Sequence, residues 1–197
     1  MALMAAVAAM DGPDERRQTI ASARAGDLAA FELLMRQHER LVLATALRMT
    51  GNLHDAQDVS QEVFLKLYRN LSKVEAPGAL PSWLYRVTVN ACHDLLRRRP
   101  ASAPVELTDD LVAGGSDPQA CATEAERRRV LELSLRLLPE KERAALVLRD
   151  LEGLTTEEVA RALGSSEATV RSQVSKARAK VHDFVERYFS PRGRRQS

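Results

Sequence analysis

The chain has 197 residues, a formal net charge of +2, 45% hydrophobic residues and only 4% aromatic ones. That length allows one domain or two small ones, and cores short of aromatics must be built from Leu, Val and Ala, which suits helices. Two cysteines, Cys92 and Cys121, make no disulfide framework and match no zinc spacing, and no stretch is long and apolar enough to span a bilayer.

Residues 1–24 read as a flexible N-terminal extension. Met1 to Met10 is Ala-rich but lacks the basic start of a signal peptide, so the reading is cytoplasmic, with Met4 or Met10 as alternative starts. Residues 25–99 read as helical throughout. Phe31, Leu34, His38 and Leu41 recur at helical spacing, and the pattern runs to about Met49 before Gly51-Asn52 stops it. Asp55 then starts a helix whose buried stripe is Val59, Val63 and Leu67. Lys73 to Ala79 is a loop, and Pro81 fits the first turn of a third helix with Leu84, Val87, Ala91 and Leu95 on its stripe.

Residues 100–123 read as a linker, broken by Pro100, Pro104, Gly114-Gly115 and Asp117-Pro118. Residues 100–126 hold no Lys or Arg and six Asp/Glu, a net of −6. Residues 124–189 are helical again. Val130, Leu131, Leu135 and Leu138 lead to Pro139, and a second helix runs from Glu140 to Leu151, ended by Gly153. Residues 190–197 form a basic tail. No strand pattern appears, so the expected fold is all-α, with two small helical domains on a flexible acidic linker.

A helix-turn-helix closes the second domain. Thr155 and Glu158 are spaced as a capping box, Val159, Ala160 and Leu163 give an apolar stripe, and Gly164 can take the left-handed backbone that ends the helix. Ser166 caps the next helix, which Val170 and Val174 pin to the first. Thr169, Arg171, Ser172, Gln173, Ser175, Lys176 and Arg178 are left outward, donor-rich side chains of the kind that read base edges and hold phosphates. Residues 165–197 carry eight Lys/Arg against three Asp/Glu, a net of +5. The function therefore lies on DNA.

The first domain carries two further faces. Arg86, Asn90, His93 and Arg97 share one side of its third helix, with Trp83 and Tyr85 at the start and Arg97-Arg98-Arg99 at the end. Flat rings beside amides and guanidiniums suit a single-stranded nucleic acid; a core Trp and a solvated helix end are the plainer reading. Asp55, Asp58, Gln61, Glu62 and Lys66 line the polar face of the preceding helix. Such a face does not bind DNA, and either solvent or a basic protein partner fits it.

Together these segments resemble a family. Asp55-Ala56-Gln57-Asp58-Val59-Ser60-Gln61-Glu62-Val63-Phe64, followed by Trp83-Leu84-Tyr85-Arg86-Val87 and Asn90, resembles region two of bacterial sigma factors. Leu138-Pro139-Glu140-Lys141-Glu142-Arg143, then Gly153 to Ala160, Gly164 and Thr169-Val170-Arg171-Ser172, resembles region four. Two such domains on a short linker look like the extracytoplasmic-function group.

The resemblance implies a protein that binds core RNA polymerase and directs it to promoters. Asp55, Asp58, Gln61 and Glu62 would dock on the clamp of the large subunit. Trp83, Arg86, Asn90, Arg97 and Arg98 would serve the −10 element, where a base leaves the stack at a cost of a few kcal/mol. Thr169, Arg171, Ser172, Gln173, Lys176 and Arg178 would serve the −35 element in the major groove. The acidic linker would thread the polymerase cleft, and an anti-sigma factor is a common partner in the group. Gln57 departs from the family pattern, and so do Gln173 and Lys176, which stand where Arg is frequent. Lys lacks the bidentate fork of Arg. No catalytic residue, cofactor or metal is implied. The alternative is a freestanding helix-turn-helix regulator, whose usual receiver or ligand-binding domain has no counterpart in residues 25–99.

Overall fold

The computed structural model describes residues 12–73, 77–98 and 118–190. Asp27 opens the first long helix. Its side chain accepts from the backbone amides of Ala29 and Ala30, and Gly51 ends the helix in the left-handed region at φ 68°. This helix, α2 (Leu28–Thr50), follows a shorter one, α1 (Pro13–Arg24). Asn52 caps α3 (Leu53–Asn70), and short 3₁₀ turns at Leu71–Lys73 and Pro77–Ala79 lead to α4 (Leu80–Arg98). The expected α3 stripe of Val59, Val63 and Leu67 is buried; on α4 Leu84 and Ala91 are buried, while Val87 and Leu95 are half-buried against the core.

The second domain comprises α5 (Pro118–Arg136), α6 (Glu140–Leu146), α7 (Thr156–Leu163) and α8 (Glu167–Phe189). After α6 the helix widens into a π turn over Val147–Leu151, closed by the Glu152 amide donating to the Val147 carbonyl at 2.9 Å. Among the described residues every element is helical.

Two boundaries differ from expectation. The N-terminal segment is not all loose: α1 packs on α2 through buried Ile20 and Ala23, and Arg24 donates from Nε to the Leu71 carbonyl at 3.2 Å. Its start signals were present, Pro13 in the first turn with Asp14 and Glu15 beside it, but its apolar stripe is too thin to stand out. The second domain likewise begins earlier than residue 124, because Pro118 starts α5 rather than breaking it. Residues 1–11, most of the linker and the basic tail lie outside the described residues, as does the Cys121 side chain.

The two domains are not independent bodies. One hydrophobic core runs through both, and α7 packs on α4. Polar bonds cross the seam at defined points. Arg143 is buried, and its Nη1 donates to the Met49 carbonyl at 2.6 Å while Nη2 reaches the carbonyls of Arg136 and Leu138 at 3.0 and 3.1 Å. Burial lowers its pKa, yet three carbonyl acceptors replace much of the lost water. Arg136 donates to the Gly51 carbonyl. Glu152, buried in the second domain, accepts from Arg48 and from the Tyr85 hydroxyl of the first.

Candidate polymerase and nucleic-acid interfaces

Asp58, Gln61 and Glu62 stand exposed on α3. Each acid has a basic side chain one turn away: His54 lies 3.4 Å from Asp58, and Lys66 lies 2.6 Å from Glu62. Such exposed pairs contribute little to stability and exchange readily for an external partner. Asp55 does not belong to this face. It is only 5% exposed, sits in the first turn of α3, and lies close enough to Cys92 to raise its thiol, as Arg143 is to lower it. α3 packs on α2 and α4, and that packing between helices is not revealed by periodicity within one of them.

Two side chains that the sequence reading passed over complete the α3 face. Leu65 and Tyr68 are 56% and 54% exposed, and Tyr68 meets Phe31 edge-on at 5.1 Å. An acidic edge beside exposed apolar groups is the make-up of a protein-docking surface. The signal was available, since Leu65 falls off the Val59–Val63–Leu67 stripe.

On α4, Arg86, Asn90, Arg97 and Arg98 are exposed, and Asp94 lies among them. Trp83 is half-buried, its ring packed on the core with part of its surface open. Tyr85 is not a stacking platform. It is 2% exposed, and burial with Glu152 alongside pushes its pKa far up, so its hydroxyl stays a donor. His93 turns toward the second domain, where burial lowers its pKa against the opposing pull of Glu140. Cys92 is fully buried with its thiol pushed up to about 12 by burial, the setting of a packed structural thiol rather than a reactive one.

The helix-turn-helix forms as its sequence dictates. The Thr155 amide donates to Glu158 at 2.7 Å and the Glu158 amide to Thr155 at 3.2 Å, closing the capping box. Gly164 takes φ 60°, the Ser166 hydroxyl accepts from the Thr169 amide at 3.1 Å, and Val170, Val174 and Ala177 are buried. Thr169, Arg171, Ser172 and Lys176 face outward. Arg171 rests 3.0 Å from Glu167.

Two expected contacts are arranged differently. Gln173 is half-covered, its Oε1 buried without a hydrogen-bond partner, because it flanks the Val170–Val174 seam. Arg178 is held by Asp150 of the π turn, its Nε and Nη2 donating to the two carboxylate oxygens at 2.8 and 2.7 Å. Arg149, also from that turn, joins Thr156, Arg171, Ser175 and Arg178 around a shallow groove beside α8. Among the described residues no cluster of His, Cys, Asp or Glu suits a metal ion, and no helix is long and apolar enough to cross a membrane.

An all-α pair of domains, one with an acidic–apolar face beside an arginine-bearing helix and the other a helix-turn-helix, defines a DNA-directed transcription factor with a protein-docking surface. Comparison with known proteins narrows the class. Residues 34–101 match the family described as Sigma-70 region 2, and residues 128–181 match Sigma-70, region 4. The ECF RNA polymerase sigma factor SigE of Mycolicibacterium smegmatis is 34% identical over 90% of this chain and 71% of its own length. The ECF RNA polymerase sigma-E factor of Escherichia coli is 33% identical over 82% of this chain and 89% of its own. Among solved structures, CnrH in complex with the cytosolic domain of CnrY superposes with a TM-score of 0.64 at 27% identity, covering 87% of this chain and 97% of that one. The chain belongs to the extracytoplasmic-function sigma factors, the subunits that bind core RNA polymerase and direct it to promoters.

Proposed function

We propose a division of labour within this sigma factor that follows its three exposed faces. Asp58, Gln61 and Glu62, with Leu65 and Tyr68, dock α3 on the clamp of the polymerase large subunit. Arg86, Asn90, Arg97 and Arg98, with the open edge of Trp83, hold the melted −10 strand. Thr169, Arg171, Ser172, Gln173 and Lys176 read the −35 duplex from the major groove. The observation that carries this reading is the separation of chemistry: acids and apolar groups on α3, cations and amides on α4 and α8. The chain supplies no catalytic group, and nucleotide addition is left to the polymerase.

The site of action is the cytoplasm. A partner that masks the α3 face fits the same chemistry. CnrH was solved with the cytosolic domain of CnrY, and the sigma factor RpoE of Bartonella quintana was solved with the anti-sigma factor NepR. An anti-sigma factor for this chain would compete with polymerase.

Replacing Asp58 and Glu62 together by Ala tests the docking assignment. Both are exposed, so the melting temperature should stay within a degree or two. Affinity for core enzyme should fall about tenfold or more, roughly 1.4 kcal/mol. Retained affinity at moderate salt would contradict the assignment.

A further inference from the structure

We propose that Asp150 is a specificity-setting residue of the DNA-reading helix: it withholds Arg178 from the DNA backbone, so that binding depends on base-reading side chains rather than on bulk charge. The proposal rests on reading α8 as the duplex-binding helix.

The geometry is that of an intramolecular competitor for phosphate. A guanidinium presents a fork that fits a carboxylate or a phosphate equally well. In this chain the fork of Arg178 is filled by both oxygens of Asp150, at 2.8 and 2.7 Å. The Asp150 side chain is only 26% exposed. It is fixed in the π turn, and neighbouring Arg149 ties the following loop by donating to the Leu154 carbonyl at 2.9 Å. Asp150 thus sits in place before Arg178 arrives. Arg178 itself is 61% exposed and borders the groove that Thr156, Arg171 and Ser175 share, within reach of a backbone phosphate.

The pairing extends along the helix. Lys180 is held by Glu142 of α6 at 2.8 Å, and Arg171 by Glu167 at 3.0 Å. Among the described residues, Lys176 is the cation in the stretch from Arg171 to Lys180 without an ion-pair partner. The acids facing Arg178 and Lys180 come from a different element, so they are not ordinary neighbours one helical turn apart. An exposed pair adds little to fold stability, which leaves its main effect on what Arg178 is free to touch. Each phosphate contact steepens the dependence of log affinity on log salt by about 0.9 on duplex DNA. Withholding one therefore lowers non-specific binding while sparing the base contacts.

The test compares the full chain with Asp150→Asn, which keeps the shape and removes the charge. Binding to a random-sequence duplex is followed by fluorescence anisotropy from 50 to 200 mM KCl. Asp150→Asn should bind more tightly, with a salt slope steeper by about 0.9, so that its advantage is about 3.5-fold larger at 50 mM than at 200 mM. The holoenzyme carrying it should discriminate a promoter from random DNA several-fold less well. Adding Arg178→Ala should restore the original slope, and an unchanged melting temperature excludes a folding effect. An unchanged slope, weaker binding, or a steeper slope that survives Arg178→Ala would each overturn the proposal. A wild-type chain that shows no salt-dependent duplex binding would overturn it too, together with the assignment of α8; a wild-type slope that Asp150→Asn leaves alone would overturn the proposal only.

Discussion

At the scale of single residues, the fold depends on several polar groups held in unusual surroundings. His38 is buried with Nδ1 2.9 Å from the Leu34 carbonyl, an arrangement that suits the neutral ring donating. Burial lowers its pKa, and nearby Arg16 adds to the shift; His93 is lowered by burial as well. Both rings take up protons more readily in the unfolded chain than in the folded one. Their contribution is thus present in full above about pH 6.5 and declines as the pH falls through the folded values. Thermal melts should show stability dropping between pH 7 and 5, with a shallower drop in His38→Gln. A pH-independent melting temperature over that range would contradict the shift. Gly51 and Gly164 offer a second contrast. Both adopt positive φ, but a Cβ on Gly51 would meet the Arg136 guanidinium at 2.6 Å, whereas Gly164 has open space. Gly164→Ala should cost about 1 kcal/mol of backbone strain, and Gly51→Ala more, because Arg136 must also move. Equal losses in denaturant titrations would show that Arg136 yields freely.

At the scale of elements, legibility followed locality. Caps, stops and stripes depend on residues within one turn of each other, so Gly51, Ser166, Gly164 and the Thr155–Glu158 box could be read directly. The buried stripe of α3 and the outward set on α8 followed from period alone. What failed depends on packing from elsewhere. Asp55 has the right spacing for the acidic face but is buried, near enough to Cys92 of α4 to act on its thiol, and Tyr85 resembles a stacking ring until Glu152 of the other domain claims its hydroxyl. The π turn at Val147–Leu151 has no clear sequence signal, and it places Asp150 against Arg178 and Glu152 against Arg48. The α1 helix is hard to read for the opposite reason: Pro13, Asp14 and Glu15 mark its start locally, but no side chain caps it and only Ile20 and Ala23 carry hydrophobic burial.

At the scale of the whole molecule, the packed arrangement is incompatible with simultaneous reading of both promoter elements. Some 25 base pairs separate −10 from −35, about 85 Å at 3.4 Å per pair. In this structure α4 packs directly on α7, whereas α8 is only about 35 Å long at 1.5 Å per residue. The three faces proposed above are nonetheless exposed, so closure limits reach rather than covering them. The domains must part, and 19 residues between α4 and α5 can span up to about 65 Å. Glu152 is one of several groups that hold the seam, beside Arg143, Arg136 and the shared core, and its removal takes the acceptor from Arg48 and the Tyr85 hydroxyl. Glu152→Ala should weaken closure by about 2 kcal/mol, a shift of some thirty-fold toward the open form. Dyes at exposed Gln57 and Arg187 should report lower energy transfer in this variant, and in the wild type on adding core polymerase. Unchanged transfer in both cases would show that the seam holds without Glu152 and survives docking.

The most direct test of the central claim is transcription in vitro with purified core polymerase on a library of promoter fragments, with and without this chain. The division of labour set out here expects discrete new transcript starts. Lys176→Ala and Ser172→Ala should lose them in a manner dependent on the −35 sequence, and Asn90→Ala in a manner dependent on the −10 sequence. Starts that do not change with the chain, or that shift without regard to which element is altered, would contradict it.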